Sequence, residues 1–472
     1  LRNASLTRCR ELHERIGGYQ QCLDSIDNGQ LDFFSFDVHF AHVLSTGGFD
    51  VVIGNPPWVR NQRIEPAARR MYRERYRLFR GEGAGRTAAF HQPDLSIAFF
   101  ERSVSLAASD GIVSLLLPSK ILNAGYAAAL RRHTERTLSI VAIDDWSEDS
   151  HRHFDADTFP LGLTVSRASR RSAIRVSTSP CFEIRTEELT VCGSEWTLLP
   201  HEVRPFFERI HRTFSPLSTV LGRMPLMGVK TGRNKAFFLE VNRVRADAVE
   251  TVDGIVIPLQ YVARCVRGRD LRRWCISEPG WMLWPPPGGW KKTPRWLERL
   301  AEERGLDPSA FVLSYVRPEH IGIKVAWKDL SRGIQAAALP DRWPEGSEVR
   351  LVPNQTLYSI DTSTDEEAHV LAALLNSNIV NALALASVER AKDWHFRYFG
   401  RTMSRLPWPQ IFANDDAWIA LARAARQSRG RECEVLSEVD RIVGALYGAT
   451  EKEQAALRCF VQRRLGFTRA AP

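Results

Sequence analysis

Phe49-Asp50-Val51-Val52-Ile53-Gly54-Asn55-Pro56-Pro57-Trp58 is the stretch around which the rest of the chain is organised. Its apolar run, Val51 to Ile53, is short, β-branched and closed by Gly54, which predicts a fully buried strand of a parallel sheet. Asn55-Pro56-Pro57-Trp58 then lies at the carboxyl end of that strand, where open α/β sheets bind their ligands. Two adjacent prolines donate no N–H and cannot continue a ladder, so the loop presents carbonyl acceptors. Asn55 adds a side-chain carbonyl, and Trp58 a large flat apolar face.

Those groups suit an exocyclic aromatic amine, a poor nucleophile because its lone pair is delocalised into the ring. Asn55 Oδ1 and the Pro56 carbonyl would accept both amine hydrogens and favour a pyramidal nitrogen whose lone pair points at a methyl donor. Trp58 would stack on a base that has left its duplex, offsetting part of the few kcal/mol that unstacking costs. A proline turn after a core strand is the plainer reading of the same residues.

Phe49 to Trp58 resembles motif IV of the amino-methyltransferases that modify DNA adenine, in particular the TaqI-like enzymes of restriction-modification and phage-defence systems. The resemblance implies S-adenosyl-L-methionine as donor and a flipped adenine in double-stranded DNA as acceptor. Asn55, Pro56, Pro57 and Trp58 are then the catalytic loop. Phe154-Asp155-Ala156-Asp157-Thr158-Phe159-Pro160 is similar to motif VIII, where the family places an aromatic on the other face of the base. Phe154 is the candidate and Phe159 the runner-up.

Composition fits a nucleic-acid partner. The chain has 472 residues, enough for two or three domains, and Lys+Arg (64) exceed Asp+Glu (55) by 9. Eight cysteines without a CxxC pair give no structural-zinc spacing, so no metal is expected, and sparse thiols suit a reducing, cytoplasmic setting. No apolar run reaches 18 residues, so no membrane span is expected.

Along the chain, residues 5 to 28 predict a helix, and Glu65 to Arg80 a basic helix that is either a solvated face or a DNA-phosphate contact. Gly81 to Gly85 predicts a mobile loop. Pro93-Asp94-Leu95 opens a helix with an apolar face of Leu95, Ala98, Phe99, Val104 and Leu106. Asp110-Gly111 then predicts a turn into the strand Ile112 to Leu117. A helix (Tyr126 to Arg136) and a strand (Ser139 to Ile143) continue an alternation that implies a parallel sheet, and a strand over Leu161 to Val165 follows the motif VIII residues.

From about residue 200 the chain becomes rich in Arg, Trp and Pro. Lys230, Arg233 and Lys235 form a basic turn entering the strand at Phe237-Phe238, and Arg267, Arg269, Arg272 and Arg273 form a basic string. Strands are expected at Lys324 to Asp329 and Asn354 to Tyr358. A long helix is expected over Glu366 to Lys392 with a break at Asn376-Ser377-Asn378, and terminal helices over Asp415 to Arg429 and Glu434 to Arg464. These landmarks, closing with Leu406-Pro407-Trp408-Pro409, resemble the target-recognition domain of the same family. The resemblance makes Lys230, Arg233, Lys235 and the four arginines DNA-binding residues, with phosphate contacts fixing register.

The expected architecture is α/β. A partial doubly wound, Rossmann-like methyltransferase domain (1–170) precedes an α+β target-recognition domain (200–412) and a C-terminal helical segment (413–472). The family's Gly-rich donor-binding turn finds no counterpart before Phe49. The chain is therefore expected to be a carboxyl-terminal part whose donor site comes from a missing N-terminal segment or a second chain. Two alternatives stay open: a catalytically inactive DNA-binding specificity module, and a protein-glutamine methyltransferase with a similar Asn-Pro-Pro-aromatic loop.

Overall fold

A computed structural model describes residues 34–81, 92–146, 159–168, 173–178, 181–192, 195–391, 393–413, 415–427 and 432–466, with scattered positions between 12 and 28. Most of the helix expected over 5–28, most of the glycine loop after Gly81 and the first motif VIII residues, Phe154 among them, lie outside the described residues. The fold is a mixed α/β structure with several sheets.

The sheet that carries the Asn55 loop has six strands: β1 (Phe49–Gly54), β2 (Ala107–Pro118), β3 (Ser139–Asp145), β4 (Pro160–Ser166), β5 (Ile174–Ser177) and β6 (Phe182–Ile184), in the order β1-β2-β4-β3-β5-β6. β1 runs parallel to β2, but β4 is antiparallel to both β2 and β3. The sheet is therefore mixed and not parallel. An antiparallel β4 can follow β3 directly, whereas a parallel neighbour needs a crossover connection.

β1 forms as expected, yet it is not buried. Among the described residues its one ladder partner is β2, and Val51 and Ile53 are 60% and 80% exposed. The apolar run makes an edge strand whose open side would otherwise invite pairing. Asp110-Gly111 is not a turn either: both residues lie inside the twelve-residue β2, where the ladder shifts register between Phe49 and Val51. Glycine is needed at that irregularity, because a Cβ on Gly111 would sit 2.8 Å from the Phe49 carbonyl oxygen. Gly48, at φ 113°, meets the same constraint, its Cβ position lying 2.6 Å from the Leu106 carbonyl.

Helices α1 (Pro66–Arg75) and α2 (Arg77–Arg80) replace the single basic helix expected there. Glu65 caps α1 through the Ala67 and Ala68 amides, with Pro66 at its first position, and Glu101 accepts from the Arg77 and Leu78 amides to start α2. α3 (Ser96–Leu106) buries Ile97, Ala98, Phe100 and Leu106, while Phe99, expected in its apolar face, points outward. α4 (Ala128–Thr137) completes the cover, and these elements share one core with β2 to β5.

Two four-stranded sheets follow. One orders Leu351–Pro353, Val262–Val266, Gly280–Leu283 and Phe238–Leu239; the other orders Ala336–Leu339, Lys324–Lys328, Leu357–Asp361 and Leu226–Met227. The basic turn after Lys230 enters a short helix, Asn234–Phe237, before its strand, and Asn354-Gln355-Thr356 is a turn ahead of Leu357–Asp361. The long helix expected after Glu366 divides into α5 (Asp365–Asn376) and α6 (Asn378–Leu385), bent by 62°. Ser377 causes the break: its extended backbone ends α5, and its hydroxyl accepts from the Val380 amide to cap α6. α6 ends at Leu385, short of the expected Lys392. Helices α7 (Asp416–Arg426), α8 (Glu432–Leu446) and α9 (Glu451–Arg464) pack on α5 and α6 in one core. The single helix expected from Glu434 is broken by Gly448 at φ 57° and restarted by a Thr450–Glu453 capping box. Among the described residues no single helix is long and apolar enough to cross a membrane.

Candidate active site

The Asn55 loop leaves β1 at its carboxyl end. Asn55 and Pro57 are exposed, Pro56 is buried and Trp58 is half-buried. Trp58 is held in place by its own indole N–H, which donates to the Leu116 carbonyl at 3.1 Å. Leu116 follows Leu115, the last β2 residue paired with β1, so the ring takes up backbone just beyond the end of the ladder. A π-face fixed in this way loses little rotamer freedom when a planar ligand stacks on it.

Trp58 lines a cavity of about 200 Å³ with Arg60, Gln62, Gln92, Asp94, Pro118, Lys120 and Tyr126. Asp94 is buried there and accepts from the Ser96 amide at 3.0 Å. Burial pushes its carboxyl up from the ordinary range, and hydrogen bonds from Ser96 and the Val59 amide act the other way. Lys120, at the mouth, pairs with Glu389 at 3.7 Å. Sequence reasoning treated Asp94 as a helix-opening residue and gave Lys120 and Tyr126 no role. Their signal was position: Asp94 lies two residues ahead of α3, and Lys120 follows the Pro118-Ser119 end of β2.

Phe159 is brought to the same end of the sheet. The Ser119 amide donates to the Phe159 carbonyl at 2.8 Å, so the ring's backbone abuts the carboxyl end of β2. Above it lies Arg390, 4.8 Å from the Phe159 ring centre and 4.1 Å from that of Trp394. Arg390 belongs to a hairpin, Glu389–Arg390 paired with Phe396–Arg397, and Asn123 donates to the nearby Ser387 carbonyl at 3.4 Å. The carboxyl end of β2 is thereby covered by residues some 270 positions later in the chain.

The basic residues are not gathered into one patch. Lys230, Arg233 and Lys235 are exposed around a turn in which Lys230 pairs by backbone with Tyr315. Arg267 bonds Asp270 through its amide (2.9 Å) and Nε (3.2 Å) and lies over Phe238, and Arg269 Nε is 3.6 Å from the same carboxylate. Arg272 and Arg273 instead line a cavity of about 400 Å³ with Lys328, Arg332 and His395.

With this geometry in view, similarity to known proteins becomes informative. Residues 4–150 match the Eco57I restriction-modification methylase family. That Eco57I-like segment contains β1, the Asn55 loop, the Asp94 cavity and β2. The chain is 24% identical over 461 residues to the type II methyltransferase M.PaeR7I of Pseudomonas aeruginosa, covering 87% of this chain and 72% of that protein. It is 20% identical over 249 residues to M.BstVI of Geobacillus stearothermophilus, a type II methyltransferase of which it spans 42%. Among solved structures it is similar to the Type IIL restriction-modification enzyme MmeI in complex with DNA, with a TM-score of 0.56 and 12% identity. That similarity covers 88% of this chain and 57% of MmeI, and it carries the fold. The resemblance to restriction-modification methyltransferases read from the motifs is borne out.

Proposed function

We propose that this chain holds the acceptor and target-reading parts of a site-specific DNA methyltransferase that transfers a methyl group from S-adenosyl-L-methionine to the exocyclic amine of adenine. The observation that carries the reading is the exit of Asn55-Pro56-Pro57-Trp58 from the carboxyl end of β1, beside a cavity walled by the pinned Trp58 ring. Asn55 Oδ1 and the Pro56 carbonyl hold the two amine hydrogens, Trp58 stacks on one face of the flipped base, and Phe159 or Phe154 covers the other. Most of the rate arises from positioning, since no general base is needed before the amine attacks. The six-stranded sheet then serves as part of a doubly wound methyltransferase sheet, and residues 200–412 as the target-recognition domain.

The described residues do not fit the donor. Ahead of Asp50 they form the short helices Phe36–His39 and Ala41–Ser45 and the glycines Gly47 and Gly48, of which Gly48 packs against the Leu106 carbonyl. No strand-to-helix glycine turn is found among them, and the acceptor half of the reaction is the part that the described residues account for. The open side of β1, with Val51 and Ile53 exposed, is where a donor-binding segment would add its strand. Calorimetry of the 472-residue chain with S-adenosyl-L-methionine is expected to detect no micromolar binding. A segment supplying the donor fold, in cis or as a second polypeptide, restores donor binding and DNA methylation together. Micromolar binding by the chain alone contradicts this account. DNA binding that never becomes methylation, even with donor bound, favours an inactive specificity module.

A further inference from the structure

Arg272, Arg273, Lys328, Arg332 and His395 line one cavity, and no carboxylate lines it with them. They come from three separate places in the sequence. Arg272 and Arg273 occupy a tight turn closed by the Leu271–Ile276 bridge and by the Arg272 amide donating to the Cys275 carbonyl. Trp274 fixes this turn: it is buried at φ 74°, and its amide donates to the Ala336 carbonyl at 2.9 Å. A left-handed bulky residue is strained and persists where its surroundings over-determine it. Lys328 ends the strand Lys324–Lys328, Arg332 follows it, and His395 belongs to the hairpin that carries Arg390.

The cations lack close counter-charges. No carboxylate lies within ion-pair distance of Arg272, Arg273, Lys328 or Arg332 among the described residues, although Arg273 feels Asp440 and Glu432 from further away. Burial lowers the Arg273 and Lys328 pKa values, and the Arg272 charge adds to the effect at Lys328. Such a set is arranged for an anion that brings several acceptor oxygens.

Position names the anion. Arg390, over Phe159, pairs across the hairpin with Phe396, and His395 is the next residue. The Arg390 and His395 Cα atoms therefore lie within roughly 7 Å of each other. A DNA strand advances about 3.4 Å per nucleotide along its axis, so the cavity lies a few nucleotides from the base presented at Phe159. We propose that this cavity clamps a backbone phosphate of the DNA strand whose base is presented at Phe159. The proposal rests on the reading of the chain as DNA-binding.

The test measures binding of a mixed-sequence duplex to the 472-residue chain as a function of salt. Arg272→Gln and Lys328→Gln are each expected to weaken binding several-fold and lower the log–log salt slope by about 0.9. Arg272 is exposed, so its variant also reports the site if Lys328→Gln should unfold. A wild-type slope in Arg272→Gln, with DNA still bound, overturns the clamp. If inorganic phosphate at fixed ionic strength then binds the wild type and not the variant, the cavity is a free-phosphate site and the DNA assignment fails. Absence of duplex binding by the wild-type chain overturns the DNA reading itself, and the clamp with it.

Discussion

The Arg390 guanidinium lies 4.8 Å from the centre of the Phe159 ring, joining a hairpin late in the chain to the carboxyl end of β2 in the six-stranded sheet. The same guanidinium is 4.1 Å from the Trp394 ring centre, so it is held between two aromatic faces. Such contacts contribute about 0.5–2 kcal/mol each, depending on how far they are desolvated.

Arg390→Ala is therefore expected to lower the urea midpoint for loss of the interface by the equivalent of about 1–2 kcal/mol. Arg390→Lys should recover only part of this, because an ammonium lacks the flat face that stacks on both rings. The check is a urea titration of the three proteins followed by tryptophan emission. Equal midpoints would mean that the hairpin is held by other contacts, such as Lys120–Glu389.

The open edge of β1 gives a second expectation. Ile53, 80% exposed beside a ladder edge that no described residue pairs with, makes the isolated chain prone to self-association. Ile53→Lys should reduce light scattering of the concentrated chain and also weaken complementation by a donor-binding segment. Unchanged scattering would place the sticky surface elsewhere.

The third expectation concerns pH. Lys324 is fully buried, donates to the Gly322 carbonyl, and has its pKa pushed down by burial to about 8. In the unfolded chain it titrates near its ordinary 10.5, so the unfolded state binds more protons between pH 8 and 10.5. The destabilisation is fully present below pH 8 and is relieved as pH rises through that window, by at most roughly 3 kcal/mol. Lys324→Met should remove this slope and raise stability at pH 7. His211 acts at the other end: burial lowers its pKa to about 4, so its neutral form supports the fold above pH 6.5 and that support is lost as pH falls toward 4. Urea midpoints measured across pH 4 to 10.5 check both windows, and a flat profile at either end contradicts the corresponding assignment.

These details divide into what local sequence determines and what it does not. The strand Phe49–Gly54 and its proline loop were legible because a β-branched run and two prolines leave few alternatives. Exposure of Val51 and Ile53 was not, since burial depends on which other segments supply neighbouring strands. Nor was the antiparallel pairing of β4 with β2 and β3. Asp110-Gly111 has the composition of a turn, yet Gly111 is there for the close approach of the Phe49 carbonyl. In the arginine string, Asp270 holds Arg267 and Arg269, whereas the left-handed Trp274 turn commits Arg272 and Arg273 to a cavity. Composition alone could not divide those four residues.

The central claim is that Asn55 orients an adenine amine for methylation. Its most direct test is nucleoside mass spectrometry of DNA from a host free of adenine methylation, expressing this chain as wild type or Asn55→Ala together with a segment that supplies the donor fold. Wild type is expected to yield N6-methyldeoxyadenosine and Asn55→Ala none, while the purified variant chain binds duplex within about twofold of wild type because phosphate contacts dominate affinity. Undiminished N6-methyldeoxyadenosine in Asn55→Ala, or a wild-type methyl group found on cytosine, would contradict the account.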